Sequence, residues 1–468
     1  MNSLYFLFGM MVAAVLIGII LFNPFFGLYV FTILLYLKPN LFGSVFVILH
    51  LTRVVGFVTF MVFLFKTRRK GVVRFSQNIQ SLLLLMFFGA LGLSLITSVW
   101  RSNSLETALN FIKVLVAYFL IVNLVDTLKR CRMIIWAMVV SMLFVASFSL
   151  YSYYVSGDVY QGRRLFGAFH GTLFGEPNEL AMAFVMLLPF LYYDLFRQGA
   201  AIRKAAQSGI MGIFLWSFIL TQSRGGLLGM SVMLFTLLLR SRRKILFAVI
   251  GFFLIAGAWQ IAPDAFKERM MTIRTAADED AAAMSRIDAW KAGVNMMKSR
   301  LFGVGVGNFG EGFVRYRSEG AVDVPGMRRA AHNMFVQVGG ETGVPGLTVF
   351  IIMLVTAFRS LNNVKRKILL EGREGAGDRR EIYLLADATF VSFVGYCASG
   401  IFLSQGYNFI LYYLIAFSVI LENFIKSPGA PVPGRPGKSA QGIRGLGEPA
   451  ISGKWKSRAM SVQLERKR

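Results

Sequence analysis

The sequence predicts an all-α polytopic membrane protein with about 12 or 13 transmembrane helices. Hydrophobic residues make up 56% of the 468 residues, and the mean hydropathy is +0.59. A soluble globular chain carries about 45–50% apolar residues. The excess here is collected into runs that approach the roughly 20 apolar residues needed to cross a bilayer.

These runs define the order of the chain. They occupy residues 4–22, 25–37, 44–65, 81–100, 108–125, 133–155, 179–196, 209–221, 226–239, 245–262, 345–358, 383–403 and 407–425. We therefore expect an N-terminal transmembrane bundle (1–262), an extramembrane loop (263–344), C-terminal transmembrane helices (345–426) and a basic tail (427–468). The Pro, Gly and basic content of the tail predicts disorder.

The connecting loops alternate in charge, and this alternation predicts the topology. Loops near residues 66–74, 129–132, 197–204 and 240–244 hold fifteen Lys and Arg residues, whereas the three loops between them hold four. Basic loops stay in the cytoplasm. Segments 157–178, 222–226 and 262–344 therefore face outward, and 359–381 and the tail face inward. The side of the N-terminus stays open, because 4–22 or 25–37 could be re-entrant.

The net charge of +26 has the same explanation. In a soluble protein it would suggest nucleic acid, but here the charge lies in short loops, where it fixes topology and meets lipid headgroups. We expect no nucleic-acid partner. The two cysteines, Cys131 and Cys397, form no metal-binding pattern, and we expect no disulfide between them.

The first outward stretch, RRLFGAFHGTLFGEPNELA (163–181), contains a helix-start pattern. Pro177 disfavours helical geometry at Glu176, and Asn178 is predicted to cap a helix beginning near Glu179. Two interpretations stay open. The stretch is a plain helix start at the membrane surface, or a polar helix terminus that borders a ligand cavity.

The second stretch, TQSRGG (221–226), places Arg224 on a face where arginine is scarce. A cation at membrane depth is costly and faces a cavity or a partner. Its planar guanidinium suits phosphate, which it binds with two parallel hydrogen bonds. Gly225 and Gly226 allow close backbone approach. The alternative is an interfacial arginine that extends toward water.

The long loop contains a helix pattern of its own. SRID (285–288) predicts a capping box with Ser285 as N-cap and Asp288 returning to it. Arg286 would then lie in the first turn, where the free N–H groups attract an anion. We expect the stripe that follows to pack against the membrane domain: Ile287, Trp290, Val294 and Met297.

The end of the loop carries a glycine run and a histidine. G-x-G-x-x-G at Gly305, Gly307 and Gly310 lacks the strand and helix of a dinucleotide site, so we expect a tight turn packed on the bilayer domain. AAHNMF (330–335) places His332 beside Asn333, downstream of two arginines. An imidazole can accept the proton of an attacking hydroxyl, although a lone histidine is often structural.

Motifs of other chemistries are absent from the sequence. It contains no HExxH, no Walker loop and no G-x-S-x-G. The acidic run 278–280 is more typical of a solvated surface than of a metal site. We expect neither a metal site nor a cofactor, since arginines can neutralise a diphosphate.

Four of these pieces in this order resemble the O-antigen ligase and O-antigen polymerase superfamily of bacterial membrane glycosyltransferases. They are FGEPNELA, LTQSRGG, SRIDAWKAGVNMMKSRLFGVGVGNF and AAHNMFVQVGGETGVPGL, and they span residues 167–348. The ending VGYCASGIFLSQGYNF is similar to the branch described as exosortase-associated O-glycosylation ligases.

The resemblance implies a GT-C-like fold with a large helical periplasmic loop, in the bacterial inner membrane. It implies an undecaprenyl-diphosphate-linked glycan as donor and a lipid, protein or glycan hydroxyl as acceptor. By the motif positions, Arg224 and Arg286 would bind the diphosphate, and His332 would be the base. We add substrate-binding roles for five residues: Arg163, Arg164, Glu176, Asn178 and Asn333. Pro177 stands where the family often has an acidic residue.

Two alternatives differ from glycan transfer by a ligase. A polymerase would use a second lipid-linked repeat as acceptor and make O-antigen or exopolysaccharide. A polysaccharide or lipid transporter would often show internal repeats and broken helices at mid-bilayer. The sequence shows no internal repeat, and its unusual residues cluster on one face.

Overall fold

The structure is a computed structural model of the full chain. It describes residues 2–37, 51–68, 78–160, 164–167, 174–197, 199–241, 281–317, 327–372 and 377–426, with isolated residues between 244 and 271. The predicted span 245–262 lies almost wholly outside the described residues, as do Arg163 and the tail. Residues Met1–Pro428 form one compact unit.

The described residues form fourteen α-helices and no β-strand, which confirms the all-α prediction. The helices are α1 (Asn2–Phe22), α2 (Pro24–Leu37), α3 (Leu51–Arg68), α4 (Ile79–Ser94), α5 (Arg101–Leu124), α6 (Leu128–Tyr151), α7 (Pro177–Asp194), α8 (Ala201–Thr221), α9 (Arg224–Arg240), α10 (Ala281–Ser299), α11 (Phe309–Tyr316), α12 (Met334–Leu370), α13 (Gly377–Gly400) and α14 (Phe409–Lys426). A π-helical turn, Ser152–Ser156, extends α6.

Several of these helices are suited to a bilayer. Among the described residues, five helices are long and apolar enough to cross a membrane: α5, α6 with its π turn, α12, α13 and α14. Shorter apolar helices lie at Met11–Phe22, Pro24–Leu37 and Ile79–Ser94. The protein is therefore a multi-pass membrane protein. Helix α14 is buried along most of its length and packs against α5, α12 and α13.

Ion pairs join the helix ends where the sequence is most basic. Arg240 Nε lies 2.6 Å and Lys365 Nζ 2.9 Å from the buried carboxylate of Asp387. Arg132 pairs with Glu381 in the same way. We call this end of the bundle the basic end. The opposite end, where α10 and α11 lie, is the loop end.

The basic end also contains the turn between α1 and α2. Lys66 Nζ donates to the carbonyl oxygen of Phe22 at 2.7 Å, and the Arg130 guanidinium lies over the Phe25 ring. Helix α1 has 21 residues and is about 31 Å long at 1.5 Å per residue. Its first residues therefore lie toward the loop end. Helix α2 has 14 residues, and the side of the N-terminus stays open.

Helix α10 differs from its predicted start and orientation. It has already begun at Ala281, so Ser285 is a helix-interior residue and the predicted capping box is wrong. Alanines favour helix, and the run Ala281–Ala283 extends it toward the N-terminus. Arg286 consequently lies beyond the first turn, where the field of the helix terminus is weak.

The buried face of α10 coincides only in part with the predicted stripe, because Trp290 and Met297 contact the start of α12 while the other two members do not. Ile287 and Val294 are exposed, while Asp288, Ala289, Ala292, Gly293 and Met296 are buried. Small residues let α10 approach α12 closely, since a Cβ on Gly293 would lie 2.3 Å from Val336 Cγ1. Backbone proximity, rather than side-chain hydrophobicity, selects the face.

Helix α12 begins eleven residues before the predicted run 345–358, since Asn333 caps it, and it breaks at Gly343. Gly343 has φ 71° and ψ −174°, and Pro345 follows two residues later. Residues 334–342 thus form a short separate helix at the loop end. A Cβ on Gly343 would lie 1.8 Å from the carbonyl oxygen of Leu301, so only glycine fits.

We expect Gly343→Ala to destabilise the protein by about 1–3 kcal/mol or more, from backbone strain and the clash with Leu301. Gly209→Ala is the matched control, because Gly209 lies within α8 with open space around its Cα. This change should stabilise the helix by roughly 0.5–1 kcal/mol. Thermal unfolding of the detergent-solubilised protein measures both. Equal melting temperatures for the two variants would contradict the tight backbone packing at Gly343.

Candidate functional site

The segment that carries His332 is held by two other elements at the start of α12. The backbone N–H of His332 donates to Ser404 Oγ at 2.8 Å. The Trp290 indole N–H, from α10, donates to the carbonyl oxygen of Ala331 at 3.1 Å. His332 itself is half-buried. The imidazole therefore belongs to a fixed segment at the contact between the long loop and the bundle.

Asn333 has a local role in this segment. Its Oδ1 accepts hydrogen bonds from Phe335 N at 2.9 Å and Val336 N at 3.1 Å, so it is the N-cap of α12. The capping bonds account for its side-chain oxygen. The expected substrate-binding role of Asn333 stays a prediction, and its described contacts serve the fold.

The start of α7 differs from its predicted capping. The helix begins at Pro177, with Glu176 at the N-cap position and without a side-chain capping bond. Asn178 lies inside the first turn and does not cap. Its Oδ1 instead accepts from Arg164 Nη2 at 2.9 Å and from Ser223 Oγ at 2.8 Å. Proline lacks a backbone N–H, and the first helical position needs none, so Pro177 fits there. The helix therefore starts two residues earlier than predicted.

Arg164 is a buried residue that holds the start of α7 against the end of α8. It is 5% exposed, and its Nε donates to the carbonyl oxygen of Thr221 at 2.9 Å while Nη2 donates to Asn178. One guanidinium thus joins the first outward stretch, the end of α8 and the start of α7. We predicted that Arg164 binds substrate, and its described bonds are structural. Arg163 lies outside the described residues.

Arg224 is the first residue of α9. Ser223 precedes it as N-cap, and its Oγ accepts from Gly226 N at 3.0 Å. The two glycines that follow lie against other helices: a Cβ on Gly225 would lie 2.9 Å from Phe402 Cβ, and one on Gly226 would lie 2.7 Å from Ala181 Cβ. The predicted close backbone approach is confirmed. Arg224 therefore has a cationic side chain at a helix start, where anions are favoured.

Arg286 and Glu176 reach His332 from different elements. Burial lowers the pKa of His332 below its ordinary value of 6.5, the positive charge of Arg286 lowers it further, and the carboxylate of Glu176 raises it in part. Arg286 lies one turn before Trp290 on α10, and Glu176 lies at the start of α7. At neutral pH the imidazole is therefore uncharged and able to accept a proton.

The site thus gathers residues that lie far apart in sequence. His332, Arg286 and Glu176 are coupled by charge, and Arg224 is joined to them indirectly. Its neighbour Ser223 bonds Asn178, two residues after Glu176. The arrangement puts a neutral imidazole, a carboxylate and cationic guanidiniums at the loop end. Among the described residues, no group of His, Cys, Asp and Glu could hold a metal ion.

The glycine run adopts the predicted tight turn. Gly303, Gly305 and Gly307 all have positive φ, between 71° and 99°. The Glu341 carboxylate accepts from Gly307 N at 2.9 Å and Phe309 N at 3.2 Å, which anchors the turn to α12. Gly305 lies against Ser98 and Ser104 and Gly307 against Thr107, so the run packs on the start of α5 as well as on α12.

Sequence reasoning missed the loop between α13 and α14. Ser404 bonds His332, and Gln405 Nε2 donates to Glu179 Oε1 at 2.5 Å. Trp290 was expected to pack on the membrane domain, whereas its indole holds the Ala331 carbonyl. The sequence signal at this loop was the family-like ending VGYCASGIFLSQGYNF, which gave no role to its polar stretch Ser404–Asn408. A polar stretch between two apolar runs is typical of any connecting loop.

Comparison with known families agrees with the motifs. A family model described as O-antigen ligase matches residues 209–351, a segment that contains Arg224, Arg286 and His332. The match confirms the predicted resemblance to the O-antigen ligase and polymerase superfamily. It leaves Arg164, Glu176 and the α13–α14 loop outside the matched region. No curated protein matches the chain.

The charges around His332 predict opposite effects of two neutralising substitutions. Arg286→Gln removes a positive charge, so the pKa of His332 should rise. Glu176→Gln removes a negative charge, so that pKa should fall further below 6.5. NMR titration of histidine-labelled protein measures both. Arg328→Gln is the control, because Arg328 is exposed and pairs with Glu311 at 3.0 Å. Shifts of the same sign in both variants would contradict this site.

Proposed function

We propose, because residues 209–351 match a family model described as O-antigen ligase, that the protein transfers a glycan from undecaprenyl diphosphate to an acceptor hydroxyl. The reaction would take place on the periplasmic face of the bacterial inner membrane. The loop end is that face, because the basic end follows the rule that Lys and Arg stay in the cytoplasm.

One observation carries the proposal. Burial and Arg286 keep the imidazole of His332 neutral, and Glu176 lies close enough to oppose them. A base that is uncharged at neutral pH, beside a fixed cation, suits a reaction that removes a proton and releases an anion. The three residues come from three separate parts of the chain, and only the fold brings them together.

Arg224 and Arg286 are assigned to the diphosphate of the donor. Arginine binds phosphate oxygens through paired hydrogen bonds, and the start of α9 adds a favourable field for an anion. A polyprenyl chain stays in the bilayer while its diphosphate lies at the surface. The contact between the loop and the bundle is where such a lipid meets both arginines.

His332 is assigned as the general base. Its neutral imidazole takes the proton of the acceptor hydroxyl, and the acceptor oxygen forms a bond to the anomeric carbon. The bond between that carbon and the phosphate oxygen breaks, and undecaprenyl diphosphate leaves as an anion. The arginines stabilise this developing charge. A single direct displacement of this kind inverts the anomeric centre.

Loss of the base should reduce transfer strongly. We expect His332→Ala to lower glycan transfer by about 10²–10⁴-fold, the usual contribution of a general base. Arg286→Ala and Arg224→Ala should also abolish detectable transfer, since a diphosphate leaving group would lose its counter-charge. Complementation of a deletion strain measures this, with membrane insertion checked by immunoblot. Arg328→Ala, an exposed arginine of the same loop, is the control. Full activity of His332→Ala and Arg286→Ala would refute the assignment.

The acceptor divides the proposal into two cases. A ligase acts on a lipid or protein hydroxyl, and a polymerase acts on a second lipid-linked repeat. In the deletion strain we expect intact long chains that stay on the lipid carrier, as for a ligase. Mass spectrometry of the lipid-linked glycan measures chain length. Accumulation of single repeats in place of long chains would favour the polymerase.

A further inference from the structure

We propose that Ser404 is a positioning residue for His332, and that the loop of residues 401–408 sets the place of the imidazole relative to the arginines. This inference rests on the proposed function, because it assigns a role within the same site. Ser404 acts on the reaction through the histidine backbone and does not itself contact the reacting atoms.

The backbone of His332 is in a conformation that its side chain disfavours. Its φ is 46°, in the left-handed region where the Cβ of an L-residue approaches the following carbonyl. Among the described residues, the non-glycine residues with positive φ are Gln222 and His332. One is the proposed base, and the other lies two residues before Arg224. Unfavourable backbone persists where surrounding contacts impose it.

Contacts from other elements hold this conformation in place. Ser404 Oγ accepts the N–H of His332 at 2.8 Å, and Trp290 fixes the preceding carbonyl from α10. Asn333 then caps α12 immediately after the histidine. The Ser404 bond is the one contact in this set made to the backbone of His332 itself. Its removal would free that N–H and the peptide that orients the imidazole.

The loop that carries Ser404 contacts the other parts of the site. Gln405 Nε2 donates to Glu179 Oε1 of α7, three residues after Glu176. Gly406 N donates to Gln337 Oε1 of α12 at 3.3 Å. The 401–408 loop therefore connects directly to α7 and α12.

The same loop also reaches the start of α9. Phe402 packs against Gly225, next to Arg224, at a distance that excludes any side chain on the glycine. A loop in contact with α7, α9 and α12 fixes the separation between the base and a proposed diphosphate-binding arginine. A misplacement of about 1 Å at such a site can cost on the order of a hundredfold in rate.

A positioning role for Ser404 predicts that its loss lowers the turnover rate without weakening donor binding. Without the Ser404 hydroxyl, the His332 segment loses its anchor, while Arg224 and Arg286 keep their own helices. The turnover rate should fall, and donor recognition should stay. The imidazole should also gain exposure to water, which relieves the burial that lowers its pKa. Its titration should move up toward 6.5.

The experiment compares Ser404→Ala with Ser404→Thr and Ser392→Ala in the full-length protein. Threonine keeps the hydroxyl, so it should restore most of the loss. Ser392 is a buried serine of α13 without a hydrogen bond to its Oγ among the described residues, and it controls for loss of a buried hydroxyl. Activity is measured with lipid-linked glycan extracted from the deletion strain. Titration uses protein labelled with ¹³C at histidine, since the chain has three histidines.

We expect Ser404→Ala to lower kcat roughly tenfold to a hundredfold with KM for the donor unchanged, and to raise the pKa of His332. Wild-type kcat and pKa in this variant would overturn the positioning role, as would an equal loss in Ser392→Ala. His332→Ala is measured alongside and assigns the histidine signal. If His332→Ala keeps full activity, the proposed function fails; if it is inactive while Ser404→Ala is normal, only the positioning role fails.

Discussion

The carboxamide oxygen of Asn178 accepts two hydrogen bonds, one from Arg164 and one from Ser223, and the geometry of the site depends on them. They join the first outward stretch, the start of α7 and the start of α9. Two charged residues assigned to the site lie at these helix starts: Glu176 at the N-cap position of α7 and Arg224 as the first residue of α9. A carboxamide oxygen has two lone pairs, so one half-buried acceptor satisfies both donors. Loss of the Ser223 bond would remove the direct polar link between the two helix starts, and loss of the Arg164 bond would detach the first outward stretch from α7.

A second set of contacts joins the long loop to the membrane bundle near the starts of α7 and α9. Helix α10 approaches the short helix 334–342 through small residues, and the break at Gly343 separates that helix from the membrane-spanning part of α12. Trp290 and Ser404 then hold the segment between them that carries His332. Helix α10 and the loop between α13 and α14 thus hold the segment of the proposed base from two elements. Such support is what a preorganised charge-stabilising site requires.

The two ends of the bundle use charge differently. At the basic end, Asp387 is buried and paired with Arg240 and Lys365, so the cations there are neutralised within the protein. At the loop end, Arg164 donates to Thr221 and Asn178 and thereby joins three segments, while Arg224 and Arg286 are the residues proposed to bind the donor diphosphate. The same residue type thus neutralises a buried carboxylate at one end and joins backbone segments at the other.

The sequence by itself determined the helical class, the membrane character, the division into two faces and the candidate residues Arg224, Arg286 and His332. The length of an apolar run and the charge of a loop are properties of contiguous residues, so the sequence alone predicts the spans and their orientation. The tertiary structure decided the rest. It showed that Asn178 and Arg164 join segments, that Asn333 is a cap, that α10 begins before Ser285, and that Ser404 holds His332. The bonds of Ser223 with Asn178 and of Ser404 with His332 join residues 45 and 72 positions apart, and side-chain pattern alone does not specify such pairings.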